Sequence, residues 1–329
     1  RKKINRTKIL AIDEISMLSA ETFEKLDEVL QIVRNDNAPM GGLQILLFGD
    51  FLQLPPISKY GEEKSLFCFE SESWKNLNLK TINLKEVFRQ EDEHLVNLLN
   101  NLRFGDLSED DQKTLSQRLN VKDTNSSIKP TVLTTHNARA ENINQEMLKR
   151  IPVETKTFEA DYFGTKTKIE FLQKNCIAPK TLNMKVGAQV MMTKNTYQKE
   201  GIINGSLGVI KSFSSKRSYP VVKFANGVEI PIKPEEWRVE KYDETKKELV
   251  CEAGVNQIPL ILAWAITIHK SQGLTLDKIS CDLANVFSPG QAYVALSRAR
   301  SLSGIYIKSI NFDRITADKD AIDFYRKIQ

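Results

Sequence analysis

Short apolar runs that stop at charged or glycine-led pairs alternate along this chain with stretches whose apolar residues recur every three or four positions. Ile9-Leu10-Ala11-Ile12 stops at Asp13-Glu14, as a buried parallel strand does at the end of its sheet. From Ser19 onward Phe23, Leu26, Val29, Leu30 and Val33 fall at helical spacing, with Ser19 placed to cap the first turn. After Pro39-Met40-Gly41-Gly42, the run Gln44-Ile45-Leu46-Leu47-Phe48 reads as a second buried strand ending at Gly49-Asp50. Strand, helix, strand predicts an α/β sheet. Further helices are expected over 95–102 and 110–119.

The polar stretch 122–130, with Asn125-Ser126-Ser127 and Pro130, reads as a linker that closes a first α/β domain at 1–121. A second α/β domain is expected over 131–184 and 256–329, with a strand at 131–135 and a helix at 138–149. Between its two parts, 185–255 changes texture. Short β-like runs at 188–192, 206–213, 220–224 and 228–232 are separated by turn residues such as Asn204-Gly205 and Asn226-Gly227, predicting a small inserted antiparallel barrel. The α/β pattern returns with a strand over 260–268, a helix over 291–300 and a strand over 304–310.

Composition narrows the class. Of 329 residues, 41% are hydrophobic and 27% charged, which describes a folded chain. A net charge of +5 permits a polyanionic partner without demanding one. The four cysteines are scattered without a Cys-x-x-Cys pair, which argues against a disulfide framework or zinc site and for a reducing, intracellular setting. The compartments expected are the cytoplasm of a prokaryote or the nucleus or mitochondrion of a eukaryote. No apolar run approaches the ~18–20 residues of a membrane span, so no membrane partner is expected. The chain begins at Arg1, so any targeting signal is expected upstream of it.

Two strand ends carry candidate chemistry, because open α/β sheets bind ligands there. Asp13-Glu14 can hold magnesium with one carboxylate and orient or deprotonate water with the next, though a strand end simply facing solvent has the same look. Gly49-Asp50-Phe51-Leu52-Gln53-Leu54-Pro55-Pro56 is more specific. Gln53 is neutral, so it can donate to a phosphate oxygen and accept from an attacking water.

Asp13-Glu14-Ile15-Ser16 and Gly49–Pro56 resemble motifs II and III of PIF-type DNA helicases, the RecD-related branch of superfamily one. The resemblance continues through Leu84-Lys85-Glu86-Val87-Phe88-Arg89-Gln90, Asn204-Gly205-Ser206-Leu207-Gly208, the run from Thr267 to Asp277, and Tyr293-Val294-Ala295-Leu296-Ser297-Arg298-Ala299. These blocks stand in the family's order. The resemblance implies two RecA-like domains of the P-loop-NTPase type, the first truncated at its N-terminus, with a small inserted Src-homology-like β-barrel. It implies ATP and Mg²⁺ as cofactors, with Asp13 on the metal, Glu14 polarising the lytic water and Gln53 sensing the terminal phosphate. Arg89 and Arg298 would approach that phosphate from two sides, where a guanidinium meets the charge of the transition state. Ser16, Asp50, Gln272 and Gly273 would couple the nucleotide to the DNA. Thr134, Thr135 and Asn137, with Thr267, His269 and Lys270, would hold single-stranded DNA at strand ends. Where the family usually reads Thr-Asn, this chain has Thr135-His136-Asn137.

In the inserted domain, Lys211, Lys216, Arg217 and Lys223 are compatible with phosphate contacts and equally with a solvated face. Trp74, Trp237 and Trp264 are expected in cores rather than stacked on bases.

Absent from the chain is GxxxxGK[ST], the loop that cradles phosphates with backbone amides and a lysine. Two explanations stand, a fragment of a longer helicase or a protein that has lost its grip on nucleotide; Glu14, Gln53 and Arg298 favour the fragment. The resemblance implies a parent that translocates 5′→3′ on single-stranded DNA and opens duplex junctions in DNA repair, recombination and telomere maintenance; the sequence does not give its oligomeric state, and a monomer is favoured. The alternative is a non-catalytic nucleic-acid-binding module. This chain alone is expected to lack hydrolysis.

Overall fold

The computed structural model describes residues 1–56, 65–90, 92–123, 127–243 and 245–328. Its contacts divide the chain into two units. The first is Arg1–Leu119 with Asp282–Ser297 and Ser309–Gln329; the second is Asn120–Cys281 with Arg298–Lys308.

In the first unit, strands Ile9–Ile12 and Gln44–Leu47 pair in parallel, from Ile9 opposite Gln44 to Ile12 opposite Leu47. Parallel neighbours need a crossover, and helix Ala20–Arg34 lies between them in sequence. Ser19 caps that helix as expected, its Oγ accepting from the Thr22 N–H at 3.2 Å. The strands are not buried on both faces, contrary to the sequence reading. Successive side chains alternate between faces, and only Leu10, Ile12, Ile45 and Leu47 pack on the core, leaving Ile9 51% and Phe48 54% exposed. The stretch that holds Leu84 and Phe88 has no regular secondary structure, and both side chains are exposed.

An aromatic core organises this unit. Phe51 meets Phe69 edge-on with centroids 4.8 Å apart, and Phe324 stacks on Phe69 at 4.5 Å. Phe324 belongs to helix Lys319–Ile328, and helix Gln291–Leu296 packs on helix Glu93–Phe104. These contacts explain a departure from the expected boundaries: 282–297 and 309–329 group with the first unit, not with the rest of 256–329.

Most of a sheet in the order Ala265–Thr267, Thr131–Thr134, Ile279–Leu283, Ile305–Ile310, the first three parallel, belongs to the second unit. Helix Asn137–Lys149 packs on it, and the buried Asn144 accepts from the Ala265 N–H at 2.9 Å and donates to the Ala265 carbonyl at 2.8 Å. The apolar run 260–268, expected as one strand, is two. Leu260–Leu262 pairs antiparallel with Gln189–Met192, whereas Ala265–Thr267 pairs with Thr131–Thr134. At the break, the Ala263 carbonyl accepts from Gln189 Nε2 at 2.9 Å and Thr131 Oγ1 at 3.1 Å, so the chain changes sheets there without orphaning its backbone.

The inserted region also differs from a barrel at 185–255. Its main sheet is antiparallel in the order Glu229–Pro231, Pro220–Phe224, Leu207–Phe213, Gln189–Met192, Leu260–Leu262, an open order among the described residues. A second sheet pairs Glu235–Asp243, Glu248–Gln257 and Asp161–Gly164, and Lys156–Glu159 pairs with Thr181–Met184. The β-rich region therefore draws on strands from both sides of 185–255. Its core gathers Val190, Met192, Ile210, Val222, Phe224 and Leu260, with Trp264 beside them.

Of the expected linker, Thr124, Asn125 and Ser126 lie outside the described residues. The flanking parts are tied to the second unit: Asp123 pairs with Lys278 at 3.0 Å, and the Lys129 N–H donates to Gln189 Oε1 at 2.8 Å. Among the described residues, no helix is long and apolar enough to cross a membrane.

Candidate functional site

Asp13 and Glu14 follow strand Ile9–Ile12 directly. Glu14 sits in the left-handed region at φ 52° and ψ 45°, and its N–H donates to Asp13 Oδ1 at 2.9 Å. A side-chain-bearing residue adopts this backbone only where its surroundings enforce it. The enforcement comes from the neighbouring strand end, because the next residue, Ile15, donates its N–H to the Phe48 carbonyl at 3.0 Å. The acidic turn and the Gly49-Asp50 turn therefore lie side by side. Gly49 has φ 153°, and a Cβ on it would come within 2.9 Å of the Ile15 nitrogen. Behind the acidic turn, burial pushes the Cys68 thiol up to about 12, so it stays protonated.

The second turn is held from three directions. Asp50 receives a bidentate pair from Arg103, Nη2 to Oδ1 at 2.8 Å and Nε to Oδ2 at 3.0 Å. The Tyr325 hydroxyl donates to Asp50 Oδ1 at 3.0 Å and accepts from the Phe51 N–H at 3.3 Å. Burial works against the Arg103 charge, but Asp50 more than offsets it and raises the guanidinium pKa. Burial, reinforced by the Asp50 charge, raises the Tyr325 phenol. Gln53 is half-buried, with Nε2 3.5 Å from Asp50 Oδ2. On its third side the loop meets Gly290, at φ 72°, where a Cβ would overlap the carbonyl oxygens of Leu52 and Gln53.

Arg89 is exposed, and Gln90 beside it is buried, donating Nε2 to the Ser297 carbonyl at 3.0 Å. Arg298 does not lie on the helix expected over 291–300. That helix ends at Leu296, and the chain turns into a parallel bridge of Ala299 with Leu276, the Arg298 carbonyl accepting from the Leu276 N–H at 2.8 Å. The Arg298 side chain is 2% exposed. It belongs to the second unit, whereas Asp13, Glu14, Gln53 and Arg89 belong to the first.

The expected DNA contacts converge on one sheet end. Thr134 and Thr267 are directly paired in parallel register, which brings Thr135-His136-Asn137 and Ile268-His269-Lys270 next to each other. Both paired threonines are buried and their hydroxyls are engaged. Thr134 Oγ1 donates to the His136 carbonyl at 3.1 Å, and Thr267 Oγ1 accepts from the Lys270 N–H at 3.2 Å, capping the short helix Ile268–Ser271. Thr135 and His269 are half-buried, while Asn137 and Lys270 are exposed. Thr135 Oγ1 lies 2.7 Å from His136 Nδ1. Burial lowers the His269 pKa, favouring the neutral ring. Gln272 is half-buried and Gly273 is exposed at φ 77° with open space around it. Lys211, Lys216, Arg217 and Lys223 are all exposed. Trp74 and Trp264 sit against cores, and Trp237 carries the Lys194 ammonium 4.5 Å from its ring centroid.

The acidic turn has the donor chemistry of a magnesium site. Asp13 offers a carboxylate at the surface, and Ser16, fully buried two residues past Glu14, has an Oγ with no hydrogen-bond partner. Hard oxygen donors of this kind suit Mg²⁺ with several waters retained. Among the described residues no group of three or more His, Cys, Asp or Glu gathers as a metal cluster. Sequence reasoning missed Arg103, Tyr325 and Gly290. An arginine after an apolar helical run and a tyrosine near the C-terminus give no sign that both reach Asp50.

Residues 1–113 match the model of the PIF1-like helicases, 169–213 that of the DNA helicase Pif1 2B domain, and 204–307 that of the viral superfamily 1 RNA helicase core domain. The chain is 38% identical over 327 residues to the ATP-dependent DNA helicase PIF1 of Xenopus laevis, aligning 98% of itself with 50% of that protein. It is 32% identical to a Bacteroides Pif1 solved in complex with ADP-AlF4, with TM-score 0.87, covering 99% of this chain and 76% of that one. A Bacteroides Pif1 bound to single-stranded DNA matches at 32% identity and TM-score 0.67, covering 99% and 76%. The chain spans about half the length of the curated relatives it matches.

Proposed function

The chain belongs to the PIF1-like helicase family, and on that premise we propose that it forms most of the motor of an ATP-dependent DNA helicase. The longer protein steps along single-stranded DNA and separates duplexes at junctions, with 5′→3′ polarity. One observation carries this reading: the Ile15 N–H bonds to the Phe48 carbonyl, which sets the Asp13-Glu14 turn beside the loop that ends in Gln53. Water activation and phosphate sensing need those groups within one site.

Each residue then has a task. Asp13 would hold Mg²⁺, which would supply neutralisation of phosphate charge. Glu14 accepts a proton from the attacking water, and Gln53 orients that water. Arg89 and Arg298 meet the negative charge that develops on the transferring phosphate. Thr135, Asn137, His269 and Lys270 grip the DNA strand at the shared sheet end, with Thr134 and Thr267 shaping it from behind. Gln272 and Gly273 link that grip to the nucleotide, and Ser16 and Asp50 support the hydrolytic turns. The β-rich insertion serves as the family's Src-homology-like domain, the working unit is a monomer, and the protein acts inside the cell.

ATP hydrolysis measured with and without single-stranded DNA tests the reading. The chain itself is expected to bind the DNA without turnover, having no GxxxxGK[ST] loop. A longer form bearing that loop is expected to hydrolyse ATP on DNA addition. A loop-bearing form that binds DNA but does not hydrolyse ATP when DNA is added would leave a nucleic-acid-binding module as the better account.

A further inference from the structure

Asp50 is the most heavily engaged carboxylate near the hydrolytic turns, and its two long-range partners have no part in the roles above. Its Oδ1 accepts from Arg103 Nη2 at 2.8 Å, from the Tyr325 hydroxyl at 3.0 Å and from the Leu52 N–H at 3.1 Å. Its Oδ2 accepts from Arg103 Nε at 3.0 Å. A carboxylate has about four lone-pair sites, so this one cannot rotate without breaking several charge-assisted bonds. The backbone of the loop is equally committed. The Phe51 N–H goes to Tyr325, the Leu52 N–H to the Asp50 side chain and the Gln53 N–H to the Asp50 carbonyl at 3.0 Å. The Arg103 guanidinium lies 4.8 Å from the centre of the Tyr325 ring, which locks the two partners to each other.

Resting on the hydrolytic reading of Gln53, we propose that Tyr325 and Arg103 are positioning residues for the phosphate-sensing loop. They immobilise Asp50 and thereby fix the backbone from which the Gln53 side chain extends. The Gln53 amide contact to Asp50 is the longest of the set at 3.5 Å. A phosphate oxygen can therefore compete for that amide while the rest of the loop stays in place. The C-terminal helix Lys319–Ile328 thus contributes more than packing. Phe324 anchors it in the aromatic core, and the neighbouring Tyr325 hydroxyl acts on the sensor.

Tyr325→Phe separates the two contributions, since it keeps the ring and removes only the hydroxyl. Amide hydrogen exchange and the side-chain amide resonances of Gln53, followed by NMR on the 329-residue chain, need neither nucleotide nor DNA. A failure of the helicase reading would therefore leave their outcome unaffected. The expected result is exchange at Phe51 faster by about tenfold or more, with shifted Gln53 side-chain resonances. Protection at Phe23 and Leu30 in helix Ala20–Arg34 stays unchanged. Arg103→Lys, which keeps the charge but loses the two-pronged geometry, is expected to shift the same Gln53 resonances. If Tyr325→Phe unfolds the unit, Arg103→Lys decides by the Gln53 signal. Folded variants in which Gln53 keeps its parent resonances would overturn the proposal.

Discussion

Gln90 donates its side-chain amide to the Ser297 carbonyl at 3.0 Å, with both residues buried, between the end of helix Gln291–Leu296 and the bridge of Ala299 with Leu276. Gln90→Ala withdraws that donor from a buried carbonyl, and losses of this kind cost about 1–3 kcal/mol. We expect the free energy of unfolding to fall by about 1–3 kcal/mol, measured by chemical denaturation followed by circular dichroism. Because Ser297 precedes Arg298, turnover in a hydrolysing form should fall further than stability alone explains. A variant with parent stability and rate would remove Gln90 from the account.

Gly49→Ala should damage the acidic turn from the neighbouring strand. The added Cβ would lie 2.9 Å from the Ile15 nitrogen and 3.0 Å from its Cγ2, at a φ of 153°. The Ile15–Phe48 hydrogen bond must yield, and the strained backbone adds of order 1–3 kcal/mol. Hydrogen exchange at Ile15 should accelerate sharply. An unchanged Ile15 amide would show that the two turns are not coupled through Gly49.

His269 makes the fold sensitive to acid. Burial lowers its pKa below the ordinary value of 6.5, so the unfolded chain takes up the proton first as pH falls. Its contribution is full above pH 6.5 and is lost as the pH drops toward the lowered folded value. Melting temperatures recorded from pH 7.5 to 5 should therefore fall less steeply for His269→Gln than for the parent. Parallel curves would contradict this.

Ser19→Ala tests the helix that carries the crossover between the two strands. Its Oγ accepts from the Thr22 N–H, and the loss of such a cap typically costs about 1 kcal/mol. Chemical denaturation should show a shift of that size with no change in the denaturant slope.

What the sequence disclosed were local signals. The strands Ile9–Ile12 and Pro220–Phe224 appear at the residues expected, and Ser19 caps where a serine before an amphipathic run should. The candidate motifs at 13–16 and 49–56 could be noticed because their residues are contiguous. Long-range chemistry was hidden. Nothing local marks the break at Ala263-Trp264, since the sheet switch depends on Gln189 and Thr131 reaching the Ala263 carbonyl. Nor does composition reveal that Tyr325 meets Asp50, 275 residues away in the chain. The end of the helix at Leu296 is likewise set by the pairing of Ala299 with Leu276. Solvent exposure of Ile9 and Phe48 could not be read from an apolar run, because the run does not say how many layers cover it.

The most direct measurement is DNA-stimulated ATP hydrolysis by Glu14→Gln in a form that carries the phosphate-binding loop, alongside nucleotide and DNA affinity. The amide matches the carboxylate in size but cannot take the water's proton. Both affinities should stay near those of the parent while turnover falls by about 10²-fold or more. Hydrolysis at the parent rate would mean that Glu14 is not the base, and the assignment of this turn as the hydrolytic centre would be wrong.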